Sequence, residues 1–286
     1  VLLPEISLLF DRRAKRLAAW ADGHPMSDYL EFLSHLAAAQ QRAALSIAVP
    51  VLPDQTVLAR RRSGGMPLLP RESAGLDGQW RQALTIILGE VAALPLPVPA
   101  QQAVARLADE EPARLDARAV AFLLGQSAPD DLAPSLFVAA ALQVAWSKSV
   151  AALDPALPQI LEPAGLCPLC GSPPVGAVVL AADPLAGVRY LACGLCGTHW
   201  YHPRSHCSSC GSDRDLGYLS FEGQGGHVRG ETCGDCRTYL KVFDEAKSPG
   251  AEAIVDDLAS IGLDLRLAED GWHRAAANPF LMAVPG

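Results

Sequence analysis

Cys167-Pro168-Leu169-Cys170-Gly171-Ser172 returns forty positions later as Cys207-Ser208-Ser209-Cys210-Gly211-Ser212. A second pair of turns keeps the same offset, Cys193-Gly194-Leu195-Cys196 and Cys233-Gly234-Asp235-Cys236. All 8 cysteines of the chain lie in these four turns, and 22 residues separate the two turns of each copy. The offset extends beyond cysteine, since Val188-Arg189 matches Val228-Arg229. This is a tandem duplication of one ribbon. A C-x-x-C turn offers two thiolates from a tight loop, and two such turns on adjacent hairpins close a tetrahedron around one ion. The spacing therefore pairs Cys167, Cys170, Cys193 and Cys196 as one metal site. Cys207, Cys210, Cys233 and Cys236 form the other.

Disulfides are the competing reading, but a duplicated C-x-x-C array is the wrong pattern for a secreted scaffold. Thioredoxin-like chemistry needs one C-x-x-C opening a helix after a strand, not four on ribbon turns. Four thiolates do not choose the metal. Structural zinc is the commonest occupant, and iron in the same tetrahedron would be rubredoxin-like. The two sites need not be equivalent, because their strands differ in sequence. His199, His202, His206 and His227 lie near the turns, but each site already has four ligands, so they read as surface or packing residues. Strands are expected over 175–181 and 187–191 in the first ribbon. Their counterparts cover 216–221 and 227–231, and a closing strand covers 238–243.

Composition sets the remaining bounds. The chain has 286 residues, half of them hydrophobic, which is ample for a large core. No apolar run reaches the roughly 18 residues of a membrane span. The most apolar stretch, 132–146, is interrupted by Pro134, Ser135 and Gln143. The start carries no signal-peptide pattern, and thiols at metal spacing favour the cytoplasm. The chain opens on Val1, so upstream sequence is expected. Net charge is −8, and two divalent ions in four-thiolate sites bring it to about −12. Between Cys167 and Leu240 five arginines face six acids, so the ribbons lack the basic stripe that nucleic acid requires. Arg60-Arg61-Arg62 reads as a solvated loop cluster.

The front half is helical by periodicity. Phe10, Ala14, Leu17 and Ala21 mark a first helix that ends at Gly23, and a second runs from Ser27 or Asp28 to about Ile47. Residues 60–78 read as a loop. Further helices follow at about 79–94, 101–109, 116–124 and 134–153. Pro155, Pro158 and Pro163 form a linker. A single last helix is expected over 251–268, with Asp256, Asp257 and Asp264 solvated on its flank. No Walker loop, dinucleotide fingerprint or H-E-x-x-H occurs, and no catalytic constellation stands out. The fold class is α+β, a mainly helical domain (1–165), a first four-cysteine ribbon (166–203), and a second ribbon with a C-terminal helix (204–286). Each ribbon alone has a thin core. Chelation is therefore expected to unfold 167–240 while the helices survive.

Beyond the cysteines, several blocks are familiar in their order. Leu9-Phe10, Arg13, Arg16-Leu17, His24-Pro25 and Asp28-Tyr29-Leu30 come first. Arg189-Tyr190-Leu191, Thr198, Trp200, Tyr239-Leu240-Lys241 and Asp256-Asp257-Leu258-Ala259 follow. With these the chain resembles the FdhE family of formate dehydrogenase accessory proteins over nearly its whole length. The resemblance implies a cytoplasmic, non-enzymatic assembly factor of chaperone type. Such a factor engages the catalytic subunit of respiratory formate dehydrogenase before export. It implies iron in rubredoxin-like sites, with zinc the alternative, held by the eight cysteines. It carries over no catalytic residue. Two other classes stay open, a four-cysteine-ribbon nucleic-acid-binding protein and a rubredoxin-like electron carrier. Arg189 and Arg229 occupy equivalent positions, and an internal salt bridge or a solvated strand residue is their expected role.

Overall fold

A computed structural model describes residues 1–72, 78–128, 131–162, 164–221 and 226–281. Pro163 of the linker, Glu222, and part of the 60–78 stretch lie outside the described residues. Among those described, seven helices precede the first cysteine: α1 (Leu9–Ala21), α2 (Ser27–Ser46), α3 (Gln55–Ser63), α4 (Gly78–Val91), α5 (Val98–Ala108), α6 (Pro112–Leu123) and α7 (Leu132–Ala151). α7 is apolar on all sides and is buried along most of its length, packed by α2, α4, α5 and α6. A helix buried all round is what that composition demands. No described helix is long and apolar enough to cross a membrane.

The basic run at 60–62 closes α3 and does not lie in a loop. Asp54 caps this helix, its Oδ1 accepting from the Val57 N–H at 2.9 Å, and the three arginines sit at the negative C-terminal end. The helix has one buried apolar residue, Leu58, so periodicity gave no sign of it.

Six strands follow the duplication: β1 (Pro174–Val179), β2 (Arg189–Cys193) and β3 (His199–Tyr201), then β4 (Leu216–Leu219), β5 (Val228–Cys233) and β6 (Thr238–Asp244). They form one sheet in the order β3-β2-β1-β6-β5-β4. Within each ribbon neighbours are antiparallel, but β1 and β6 pair in parallel, Ala177 opposite Val242 and Val179 opposite Asp244. Parallel pairing at the joint follows from duplication by translation. The third strand of one copy lies beside the first strand of the other and points the same way. At the β3 edge Leu2 exchanges two backbone hydrogen bonds with His199, at 2.7 and 2.9 Å. A short strand, β7 (His273–Arg274), lies beside β6.

The C-terminal segment is two helices, not one: α8 (Ala253–Ala259) and α9 (Ile261–Glu269), broken at Ser260. The Lys241 ammonium takes the Ser260 hydroxyl at 3.0 Å and the Asp257 carbonyl at 2.6 Å where the helix ends. The three acids assigned to a solvated flank are buried. Asp256 pairs with Arg16, while Asp257 and Asp264 surround Lys241. The thin-core expectation also fails for the first ribbon. One buried cluster runs from Phe10 through Phe137 and Trp200 to Phe243 and Phe280, and every residue of β1 and β2 is buried.

Candidate metal centres

Each C-x-x-C turn is built by its own backbone. The Cys167 N–H donates to the Ser172 carbonyl (2.9 Å) and the Gly171 N–H to the Cys167 carbonyl (2.9 Å). Cys207, Ser212 and Gly211 repeat these bonds at 2.7 and 3.0 Å. Gly171 and Gly211 both stand at φ +75°, in the left-handed region where a Cβ is penalised. In the second turn the Leu195 and Cys196 N–H groups point at Cys193 Sγ, both at 3.4 Å.

The eight predicted cysteines come together as two sets, as paired from the spacing, with the four Sγ atoms of each set within 4.8 Å of one another. Cys167–Cys196 and Cys170–Cys193 are 3.6 and 3.4 Å apart, and Cys207–Cys236 and Cys210–Cys233 both 3.7 Å. All eight are free thiols. A tetrahedron with metal–sulfur bonds of about 2.3 Å has an edge of roughly 3.8 Å. The donor set and its geometry thus fit one tetrahedral thiophilic ion at each position. Burial pushes the Cys167 and Cys196 thiols up, as does crowding by neighbouring sulfurs. In the second set burial pushes Cys233 up to about 12, while Thr238 draws Cys236 down to about 7 against burial. Four sulfurs so close cannot all ionise unless a cation joins them.

None of the four histidines joins either set. His227 stacks on Trp20 with centroids 5.9 Å apart, and His206 is exposed. His202 is buried and its Nδ1 lies 2.7 Å from Arg189 Nη2. A guanidinium cannot accept, so Nδ1 must, and the ring is neutral with its proton on Nε2. Burial, then the Arg189 charge, pushes His202 down to about 4. The unfolded chain binds a proton near pH 6.5 that the native state refuses until about pH 4. Stability therefore falls as pH falls through that window. We expect His202→Gln to flatten the pH 7 to pH 5 difference in urea midpoint. Equal slopes in the two proteins would count against it.

Spacing missed the residues that support the sulfurs. Thr198 Oγ1 lies 3.1 Å from Cys196 Sγ, and Thr238 Oγ1 2.9 Å from Cys236 Sγ. The forty-residue offset relates these threonines too, so the repeat held a usable signal. The sequence marked Gln143 of α7 only as a polar interruption of the most apolar stretch, with no sign of its partner. Its amide Nε2 donates to the Gly194 carbonyl inside the first centre's second turn at 2.6 Å. Its Oε1 accepts from Arg13 (3.0 Å) and Gln40 (2.9 Å), which ties α1, α2 and α7 to that turn.

Sequence profiles of the FdhE family cover nearly the whole chain: the N-terminal domain over residues 1–162, the central domain over 166–204 and the C-terminal domain over 205–281. A "Protein FdhE homolog" of Pseudomonas aeruginosa is 39% identical, over 97% of this chain and 91% of its own length. One of Edwardsiella ictaluri is 37% identical, over 98% and 91%. The crystal structure of the FdhE protein from Pseudomonas aeruginosa superposes with a TM-score of 0.86 at 36% identity, covering 98% of this chain and 97% of that one. Duplicated ribbon, helical front and whole-length match agree, and the chain belongs to the FdhE family.

Proposed function

We propose that this protein is a non-enzymatic maturation factor for respiratory formate dehydrogenase. It acts in the cytoplasm, holds two metal ions and binds the catalytic subunit before export. The observation that carries the reading is the pair of four-sulfur sets fused to a helical body within an FdhE-family chain. Cys167, Cys170, Cys193 and Cys196 would hold one ion, and Cys207, Cys210, Cys233 and Cys236 the other. Zinc would supply a fixed template, and iron a one-electron couple in addition. The chain's own groups do the rest. Thr198, Thr238 and the turn N–H groups orient sulfur, and Gln143 fixes the first centre to the helices. We read three units here, 1–165, 166–203 and 204–286, of which the ribbons present the partner surface.

The test is a pull-down of tagged protein against the formate dehydrogenase catalytic subunit, with cysteine-to-serine variants in each ribbon. Capture by the intact protein and loss on ribbon disruption, with helical circular dichroism retained, is the expected result. Failure of the metal-loaded intact protein to capture the subunit would sink the reading. Exposure of Cys210 favours a second reading, a rubredoxin-like electron carrier. Metal analysis with a visible spectrum after anaerobic purification separates the two. Zinc with a featureless spectrum eliminates electron transfer.

A further inference from the structure

Duplication makes each centre a comparison for the other, because both keep the C-x-x-C frame while the residues inside the turns (Pro168-Leu169 and Leu195 against Ser208-Ser209 and Asp235) and the surroundings differ. Cys167, Cys170 and Cys196 are fully buried and Cys193 is 3% exposed. In the second centre Cys207 and Cys233 are also buried, but Cys210 is exposed and Cys236 half-buried. Gly171 and Gly211 share φ +75°, but a Cβ on Gly171 would meet Pro67 at 3.1 Å, whereas one on Gly211 would meet nothing within 4 Å. The first centre is clasped from outside the ribbon. The N–H groups of Leu68, Leu69 and Arg71 donate to the carbonyls of Pro168, Leu169 and Cys170 at 3.2, 2.6 and 3.0 Å. Pro4 and Leu9 close over Gly197, and Pro279 over Gly194. Ser172 Oγ lies 3.3 Å from Cys170 Sγ, but the matching Ser212 hydroxyl turns away and donates to Asp235 Oδ2 at 2.5 Å. Asp235 stands where the first centre has Leu195, so a carboxylate flanks the open site.

We infer that the two centres divide the work, the first holding its ion permanently and the second exchanging its ion with solution. This rests on both sets being metal sites. A chelator or competing thiol displaces metal by reaching a sulfur or the ion itself. At the second centre Cys210 already faces solvent. At the first, the clasp at 68–71 and the packing of Leu9 must open beforehand. Local opening of a packed unit slows such a reaction by about a hundredfold or more.

The experiment loads the full chain with zinc, desalts it, and adds excess EDTA while a chromophoric zinc indicator reports release. Two zinc ions per chain are expected to leave in two phases of equal amplitude, at least about a hundredfold apart in rate. Cys210→Ser should delete the fast phase and leave the slow one. Release of both ions in one phase, or loss of the slow phase in Cys210→Ser, would overturn the inference while leaving two metal sites intact. No retained zinc would instead remove the metal reading beneath it. Timed alkylation of the unmutated zinc protein, read by mass spectrometry, needs no variant. Cys207–Cys236 peptides should be modified well before Cys167–Cys196 peptides, and simultaneous modification of all eight would overturn the proposal.

Discussion

Lys241→Met is expected to destabilise the protein by about 3–5 kcal/mol, the usual cost of leaving one member of a buried ion pair alone. Lys241 and Asp257 are both wholly buried. The Lys241 ammonium lies 2.9 Å from Asp257 Oδ1 and 2.6 Å from Asp264 Oδ2. Arg274 completes the cluster from β7, 2.8 Å from Asp257 and 2.5 Å from Asp264. Tyr239 and Asn278 donate to the same two oxygens that Arg274 holds, Asp264 Oδ1 and Asp257 Oδ2. Two cations balance two anions, so removing the lysine leaves a net buried negative charge between β6 and α8–α9. Urea unfolding measures the loss. Lys241→Met with Asp257→Asn should recover a large part of it, and no recovery would argue that packing, not charge, set the cost. Acid adds a second signature. Burial would raise the Asp257 carboxyl, but Lys241 and Arg274 hold it below its ordinary value. That contribution is present above the unfolded carboxylate value of about 4 and is lost as pH falls through the lower native value. The single variant should show a shallower acid decline.

Glu231→Gln is expected to cost a similar amount, about 3–5 kcal/mol, by stranding Arg189. Arg189 is 1% exposed, and its Nη1 grips both oxygens of Glu231. Its Nη2 meets His202 Nδ1 and the carbonyls of Pro203 and His206. Arg189 starts β2 in the first ribbon and Glu231 belongs to β5 in the second, with the connecting segment held between them. Tyr218 also donates to Glu231, at 3.3 Å. Thermal melts and zinc retention should fall together, because the pair holds one ribbon against the other. If Glu231→Gln melts within 1 kcal/mol of the parent, the pair is not the joint. Arg229, the repeat-equivalent of Arg189, lies over the Tyr218 ring at 5.1 Å instead. An internal salt bridge thus holds for one arginine of the pair, and a cation–π contact for the other.

The cysteines were legible because their chemistry is written locally, two ligands per turn and a repeat to confirm the partners. The helices with strong apolar stripes were legible for the same reason. Asp257 and Asp264 were not. On a helix they look like a charged flank, and the partner that buries them, Lys241, stands on a strand before the helix begins. Asp256 was less legible still, since Arg16 lies 240 positions away. The parallel joint between β1 and β6 left no pattern within either strand. The asymmetry of the two centres was legible only in part. Apolar Pro168-Leu169 and Leu195 against polar Ser208-Ser209 and Asp235 hinted at it, but what covers the first centre comes from 4–9, 67–71 and 279.

The contacts of α1 with α8 have a meaning in time. Arg13 reaches Glu252 at 3.0 Å and Arg16 reaches Asp256 at 2.5 Å, joining the beginning of the chain to nearly its end. A ribosome adding about 5–20 residues per second makes the two arginines wait roughly 10–50 s for those carboxylates. Throughout that interval the helical body can collapse and the first ribbon can take up its ion, but α1 has no seat for its charges. The native state is sealed only when the last helices arrive, so a chain cut short in synthesis would carry metal ligands without the lock that closes the molecule.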